Sequence, residues 1–164
     1  MKSVICLYAG SFDPVTNGHL SLIRRAAERF GRVFVAVMKN PQKRGTFSVE
    51  ERLRMLETVC TPFKNVQVVT ADGLTSALAA RLKATVLLRG LRGVQDLESE
   101  LVMARINHRL NPELETVFLP PEEGCEAVSS SIVREIASLG GDIDSFVPPE
   151  VRDTIINHYA EGGK

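Results

Sequence analysis

The sequence predicts an α/β domain built on a parallel sheet, and three observations carry that reading. β-type apolar runs alternate with helix-type patterns along the whole 164-residue chain. Runs such as Val33–Met38 are near-continuously apolar, as strands buried on both faces require. The breaks between them fall at glycines, prolines and helix-capping residues. Five strands separated by helices imply right-handed crossovers, hence a Rossmann-like, doubly wound, five-stranded parallel sheet in a single domain spanning 1–164.

Each element has its own signal. Val4–Tyr8 is the first strand. Leu20, Ile23, Ala27 and Phe30 mark the first helix, with Asn17 as its expected N-cap. Val33–Met38 is the second strand. Ser48 to Glu51 is a capping box, opening a helix with Leu53, Leu56 and Val59 on one side. Val66–Val69 is the third strand, and a helix from about Leu74 to Lys83 follows. Thr85–Leu88 is the fourth strand, ending in Arg89-Gly90. Asp96 to Leu110 reads as a long helix stopped before Asn111-Pro112. Glu115–Leu119 is the fifth strand. Ser129-Ser130-Ser131 opens a helix through Leu139, which Gly140-Gly141 closes. A C-terminal helix covers about 149–162. There is no internal repeat and no convincing linker.

Composition excludes several classes. The chain is 44% hydrophobic and 24% charged, with 20 basic and 20 acidic side chains, so its formal net charge is zero. A basic nucleic-acid footprint is missing. The first apolar run is too short for a signal-peptide core, and no apolar stretch reaches membrane-spanning length. Cys6, Cys60 and Cys125 are far apart and odd in number, which argues for free thiols. The expectation is a cytoplasmic protein that engages neither membrane nor nucleic acid.

Open parallel sheets bind ligands beyond the carboxyl ends of their strands. Polar candidates follow every strand: Ser11 and His19; Lys39, Lys43 and Arg44; Asp72 to Thr75; Arg89 and Arg92; and the segment Glu126 to Ser131. The first group is the most informative. Tyr8-Ala9-Gly10-Ser11-Phe12-Asp13-Pro14-Val15-Thr16-Asn17-Gly18-His19 is a strand, a loop with two glycines and a helix start, the local shape of a phosphate-binding turn. Free N–H groups and the helix dipole favour anions there, and His19 can donate to a phosphate oxygen. Standing alone, Lys39, Lys43 and Arg44 read as a solvated loop. Arg89 at the end of an apolar strand costs solvation unless it meets an anion, and its planar fork suits a phosphate. The serine run is an N-cap or a triphosphate cradle. Glu100 lies four residues after Asp96, so two carboxylates share a helix face. His108 and His158 read as exposed or structural. A P-loop and a G-x-G-x-x-G fingerprint are both lacking.

The string Gly-Ser-Phe-Asp-Pro…Thr-x-Gly-His resembles the signature of nucleotidyltransferases that share an H/T-x-G-H motif with class I aminoacyl-tRNA synthetases. With Thr16 in the first position, it looks like the phosphopantetheine adenylyltransferase family. Further matching strings are Phe47-Ser48-x-Glu50-Glu51-Arg52, Arg89-Gly90-Leu91-Arg92, Asn111 to Glu115, and Ser129-Ser130-Ser131-x-Val133-Arg134-Glu135. That resemblance implies adenylyl transfer from ATP to 4′-phosphopantetheine, giving dephospho-coenzyme A and pyrophosphate in coenzyme A synthesis. It implies catalytic roles for Ser11, His19, Lys43 and Arg89. It implies an ATP side of Ser11, Phe12, His19, Gly90, Leu91, Arg92, Glu100, Cys125, Glu126, Ala127, Val128, Ser129, Ser130 and Ser131. It implies an acceptor side of Ser11, Lys43, Leu74, Thr75, Arg89, Met103, Ile106 and Asn107. Mg²⁺, held mainly by ATP phosphates, a homohexamer built as a dimer of trimers, and coenzyme A as a feedback ligand follow from the same resemblance. Cys125 departs from it, since many relatives have an aromatic residue there. The alternatives are a related enzyme acting on another acceptor, such as nicotinamide mononucleotide or a cytidylyltransferase substrate, and a non-catalytic nucleotide-binding module.

Overall fold

The computed structural model describes residues 4–39, 45–125 and 128–160, with backbone alone at Gln95. Its elements are β1 (Ile5–Gly10), α1 (Asn17–Arg29), β2 (Arg32–Met38), α2 (Val49–Cys60), β3 (Val66–Ala71), α3 (Thr75–Leu82), β4 (Val86–Gly90), α4 (Val94–Leu110), β5 (Glu115–Leu119), α5 (Ser130–Ser138) and α6 (Pro149–Ala160). The strands form one sheet in the order β3-β2-β1-β4-β5, parallel throughout. The Rossmann-like expectation is met. The chain winds outward from β1 through β2 to β3, then returns to the other side of β1 for β4. The point of reversal lies between β1 and β4.

The period-two alternation of the strands sorts the core into two layers. Cys6, Tyr8, Val33, Val35, Val37 and Leu88 face α1, α2, α5 and α6. Leu7, Ala9, Phe34, Ala36 and Leu87 face the opposite layer, where Leu78, Ala79 and Leu114 cover them. The central strands are buried on both faces, which is why β1 and β2 read as near-continuous apolar runs, whereas the edge strands β3 and β5 are largely half-buried. Cys6 and Cys60 are buried among these side chains, and burial pushes each thiol up to about 12.

Several boundaries differ from the sequence reading. Val4 is exposed and falls outside β1, which instead extends to Gly10. β4 also continues through Arg89 and Gly90, which pair with Phe118 and Leu119 of β5. A neighbouring strand can carry polar residues in its register where periodicity alone suggests an end. The N-cap of α1 is Thr16, one residue before Asn17. Asn17 is used otherwise: its backbone N–H donates to Phe146 O at 2.9 Å and its amide to Ser145 O at 3.0 Å. Leu74 is the non-helical N-cap of α3, and α4 begins at Val94, capped by Gly93. The box on α2 forms as expected, with Ser48 and Glu51 exchanging hydrogen bonds of 3.2 and 2.7 Å.

One glycine sets how closely the layers meet. A Cβ on Gly90 would lie 2.8 Å from Cδ1 of Leu22, so α1 packs directly over the end of β4. Leu88, fully buried two residues earlier, shares the core face with Leu22. Leu88→Ala is expected to destabilise the fold by about 2–5 kcal/mol, the usual cost of a truncated core leucine. Chemical denaturation checks this, and a change below about 0.5 kcal/mol would contradict the packing described.

Candidate active site

Above the reversal point, the carboxyl ends of β1 and β4 open into a cleft of about 340 Å³. Three of the five groups expected after the strands line it: Ser11 and His19 with their neighbours Phe12 and Gly18, Arg89 and Arg92 with Gly90, and Val128 to Ser131 leading into α5; Glu100 on α4 and Cys125 join them, whereas Lys39 and the segment Asp72 to Thr75 are absent from the wall. Tyr8, Thr16, Asp96, Ser99 and Pro121 complete the lining.

His19 occupies the third position of α1, and the cap fixes its state. Its backbone N–H donates to Thr16 Oγ1 at 3.4 Å, while the Thr16 backbone N–H donates back to His19 Nδ1 at 3.1 Å. An accepting Nδ1 leaves the proton of the neutral ring on Nε2. Burial, with Arg92 and Arg89 adding to it, pushes the imidazole down to about 4. The ring rests against Phe12 at 5.0 Å between centroids, in an edge arrangement, and Tyr8 lies behind at 6.4 Å. His19 is thus a neutral, oriented hydrogen-bond donor. Thr16 lacks a sequence signal for the cleft beyond its place in the motif, because its contribution passes through the cap.

Arg89 meets the anion that its position demands. Its Nε and Nη2 donate to the two oxygens of Glu100 at 2.8 and 2.5 Å, and Nη1 donates to Ala9 O at 2.8 Å. The Glu100 hydrogen bond holds the guanidinium above its usual range. Three of its five N–H donors are so engaged, and two remain for a ligand. Arg92 pairs with Asp96 at 3.2 Å. Asp96 and Glu100 of α4 therefore each serve an arginine and are not a solvated pair. Beyond the Arg89–Glu100 pair lies a second cavity of about 150 Å³, lined by Thr75, Leu87, Arg89, Glu100, Met103, Ala104, Asn107 and Thr116. The ion pair is the wall shared by the two spaces. Asn107 is buried, and its side chain makes no hydrogen bond among the described residues.

The start of α5 closes the cleft. Ser129 caps the helix by accepting from Ile132 N at 3.2 Å, and Ser130 Oγ donates to Pro14 O at 2.8 Å. Ser131 is left at the exposed first turn, where backbone N–H groups favour anions.

Some expected residues fall elsewhere. Leu91 is absent from the lining of the main cleft, and Leu74 and Ile106 are absent from that of the second cavity. Leu74 is 60% exposed and Ile106 44%, on the surface beside it. Asp72 and Lys39 are exposed. Lys43, Arg44, Glu126 and Ala127 lie outside the described residues. His108 is exposed, with Nδ1 3.3 Å from Leu114 O; His158 packs against Phe47 at 4.5 Å. Among the described residues, no group of three His, Cys, Asp or Glu side chains could cage a metal ion.

The chain that builds this cleft is similar to known proteins over most of its length. The chain belongs to the cytidylyltransferase-like family, whose pattern it matches over residues 7–136. Within that class it belongs to the phosphopantetheine adenylyltransferases. It is 46% identical over 159 residues to the phosphopantetheine adenylyltransferase of Finegoldia magna, covering 97% of this chain and 98% of the relative. The protein of that name from Lachnoclostridium phytofermentans is 47% identical, with 94% and 95% covered. That from Actinobacillus pleuropneumoniae serotype 3 is 47% identical, with 91% and 94% covered. A crystal structure from Vibrio parahaemolyticus, provisionally named a nicotinate-nucleotide adenylyltransferase, superposes with a TM-score of 0.74 over 99% of both chains. At 18% identity, that likeness speaks for the fold alone.

His19 is expected to titrate in NMR near pH 4, with Nε2 protonated and Nδ1 bare above that point. Its folded value lies below the ordinary 6.5, so the unfolded chain binds more protons between these limits. His19 therefore removes stability as pH falls from about 6.5 to 4. Denaturation of His19→Asn should show a shallower loss over that window, and an identical slope would contradict the buried neutral state.

Proposed function

We propose that the chain transfers the adenylyl group of ATP to 4′-phosphopantetheine, forming dephospho-coenzyme A and pyrophosphate. Near-full-length membership of the phosphopantetheine adenylyltransferases supports this reading. The observation that carries it is the meeting of the neutral His19 donor, Arg89 and the α5 start in one cleft, with a second space behind Arg89. ATP takes the main cleft, with its phosphates near His19, Arg92 and Ser129 to Ser131. The acceptor takes the second cavity, with its phosphate at Arg89 and its arm along Thr75, Met103 and Asn107. Ser11 faces both ligands, and Lys43 joins the acceptor phosphate.

The reaction forms a bond from an acceptor phosphate oxygen to the α-phosphorus of ATP. It breaks the bond from that phosphorus to the bridging oxygen, and pyrophosphate leaves with the electron pair. A phosphate monoester has a second pKa of about 6, so the nucleophile is already ionised at neutral pH. No general base is required. The protein must bring two anions together and stabilise charge as it builds, which oriented N–H donors and arginines do. His19 acts by hydrogen bonding, since a group held near 4 has no proton to give at pH 7 beyond its Nε2–H. Among the described residues no group of three His, Cys, Asp or Glu side chains could hold a metal ion, and Mg²⁺ would enter bound to the triphosphate and supply charge neutralisation there.

We also infer a homohexamer, a dimer of trimers, in the cytoplasm, with coenzyme A as a feedback ligand. Exposed apolar side chains on α4 support association: Val102 is 47% exposed, Met103 50% and Leu110 54%. Among the described residues, no helix is long and apolar enough to cross a membrane. Sedimentation of a monomer at micromolar concentration would overturn the assembly.

Pyrophosphate release from ATP, with 4′-phosphopantetheine, nicotinamide mononucleotide or no acceptor, tests the main reading. Release with the first alone is expected; release with the second would assign a different acceptor, and ATP binding without release would indicate a non-catalytic module. His19→Ala should lower kcat by about 10²–10³, the cost of one preorganised donor, while ATP binding persists. Near-normal single-turnover transfer would remove His19 from the mechanism. Arg89→Ala should raise KM for the acceptor more than for ATP, by about 1.5–3 kcal/mol for a charge-assisted contact, and Arg89→Lys should rescue only part. Equal effects on both ligands would contradict its placement.

A further inference from the structure

The Phe47-Ser48-x-Glu50-Glu51-Arg52 string has no place in the chemistry above, yet it ends in an unusual residue. Arg52 is 7% exposed, on the buried face of α2. No carboxylate lies within ion-pair distance of it among the described residues. A buried guanidinium is costly, and an apolar side chain would fill the same space without that cost. Its hydrogen bonds show what it does. Nη1 donates to Ser11 O at 2.9 Å, and Nε reaches Ser48 O at 3.4 Å. Arg52 is absent from the wall of the cleft, whereas Ser11 and Phe12 form part of it.

A trans peptide points its C=O and N–H in opposite directions. Holding the Ser11 carbonyl toward Arg52 therefore turns the Phe12 N–H the other way. Phe12 has φ of 47°, a left-handed conformation rare for an aromatic residue, and is 1% exposed. Its N–H has no partner among the described residues. Buried, unpaired N–H groups are rare and call for an acceptor. The rest of the loop is held in the same sense, with Arg134 donating to the Asp13 carbonyl, and the Asp13 carboxylate accepting from Thr46 N and Phe47 N at 2.9 Å each.

We propose that Arg52 is a positioning residue for the nucleotide: by holding the Ser11 carbonyl, it aims the Phe12 N–H at a polyphosphate oxygen in the main cleft. The inference rests on the reading that the cleft takes a nucleotide triphosphate. It assigns the larger effect to ATP, because the group being aimed, the Phe12 N–H, belongs to the main cleft, and neither Phe12 nor Arg52 lines the second cavity, although Ser11 serves both ligands.

Arg52→Met keeps the aliphatic stem and removes the donors. Calorimetry should show ATP binding weakened about tenfold, as for loss of one well-placed hydrogen bond. KM for ATP should rise with it, while KM for the acceptor stays within about threefold. Arg52→Lys, with one donor, should recover part of the loss. A purely structural arginine would lower the melting temperature and leave the ATP affinity of the folded protein unchanged, and that result would overturn the proposal; so would equal rises in both KM values. The wild-type protein provides a test that does not depend on variants folding. The Phe12 amide proton should shift downfield when ATP is added, and no shift at saturating ATP would overturn the assignment. If ATP binds and moves that amide but 4′-phosphopantetheine is not adenylylated, the positioning role stands and the acceptor reading fails.

Discussion

The side-by-side pairing of β1 and β4 is the constraint on which the site depends. Residues 6–8 pair with 86–88, so the two strands run in step and release their chains at the same height. The chain leaving β1 turns into α1 on one face, while the chain leaving β4 turns toward α4, which joins the opposite layer. The two exits part, and the gap between them cannot be filled by either connection. Polar groups line that gap from three sides: the Ser11–Phe12 loop and His19 from one exit, Arg89, Arg92 and Glu100 from the other, and Ser129 to Ser131 at the start of α5. Gly90 permits α1 to come down over the end of β4, so the gap is narrow enough for one ligand to touch groups from both exits.

Charge in the cleft is arranged so that little of it is free. Arg89 is met by Glu100 and Arg92 by Asp96, and His19 is held neutral by burial and by those same arginines. A cluster of bare cations beneath apolar strands would strain the fold through repulsion and lost hydration. Pairing each arginine with a helix carboxylate lowers that cost while leaving N–H donors for an incoming anion. A carboxylate close in sequence to two arginines looks like an electrostatic fault; in the fold, it keeps an arginine in place.

The fold was legible because the central strands of the sheet are buried on both faces. That burial writes itself into Val33–Met38 and Thr85–Leu88 as uninterrupted apolar runs, and Ser48 and Ser129 mark helix starts through capping chemistry. The site was legible through its motif and through the rule that ligands gather at strand ends, which placed Ser11, His19, Arg89, Arg92 and the serine run together. What escaped depends on partners distant in sequence. Asn17 has the right chemistry for a cap, but Phe146 and Ser145 claim it. Arg89 and Gly90 look like the residues after a strand, and only the register of β5 draws them into one. Met103 and Ile106 are three residues apart on α4, yet only Met103 reaches the second cavity. Arg52 carries no local sign that its donors cross to Ser11, a residue 41 positions earlier.

The shared wall between the two cavities bears on how small molecules could block the protein. A compound confined to either space touches one side of the Arg89–Glu100 pair and leaves it closed. One that fills both must part the two side chains and supply its own anion to Arg89 and its own donor to Glu100. Two fragments joined by a plain apolar linker would leave both charges unmatched and gain less than their separate affinities suggest. A linker with an anionic group beside a hydroxyl or amide donor would replace both halves of the pair, and its charge pattern at that one point would matter more than its length.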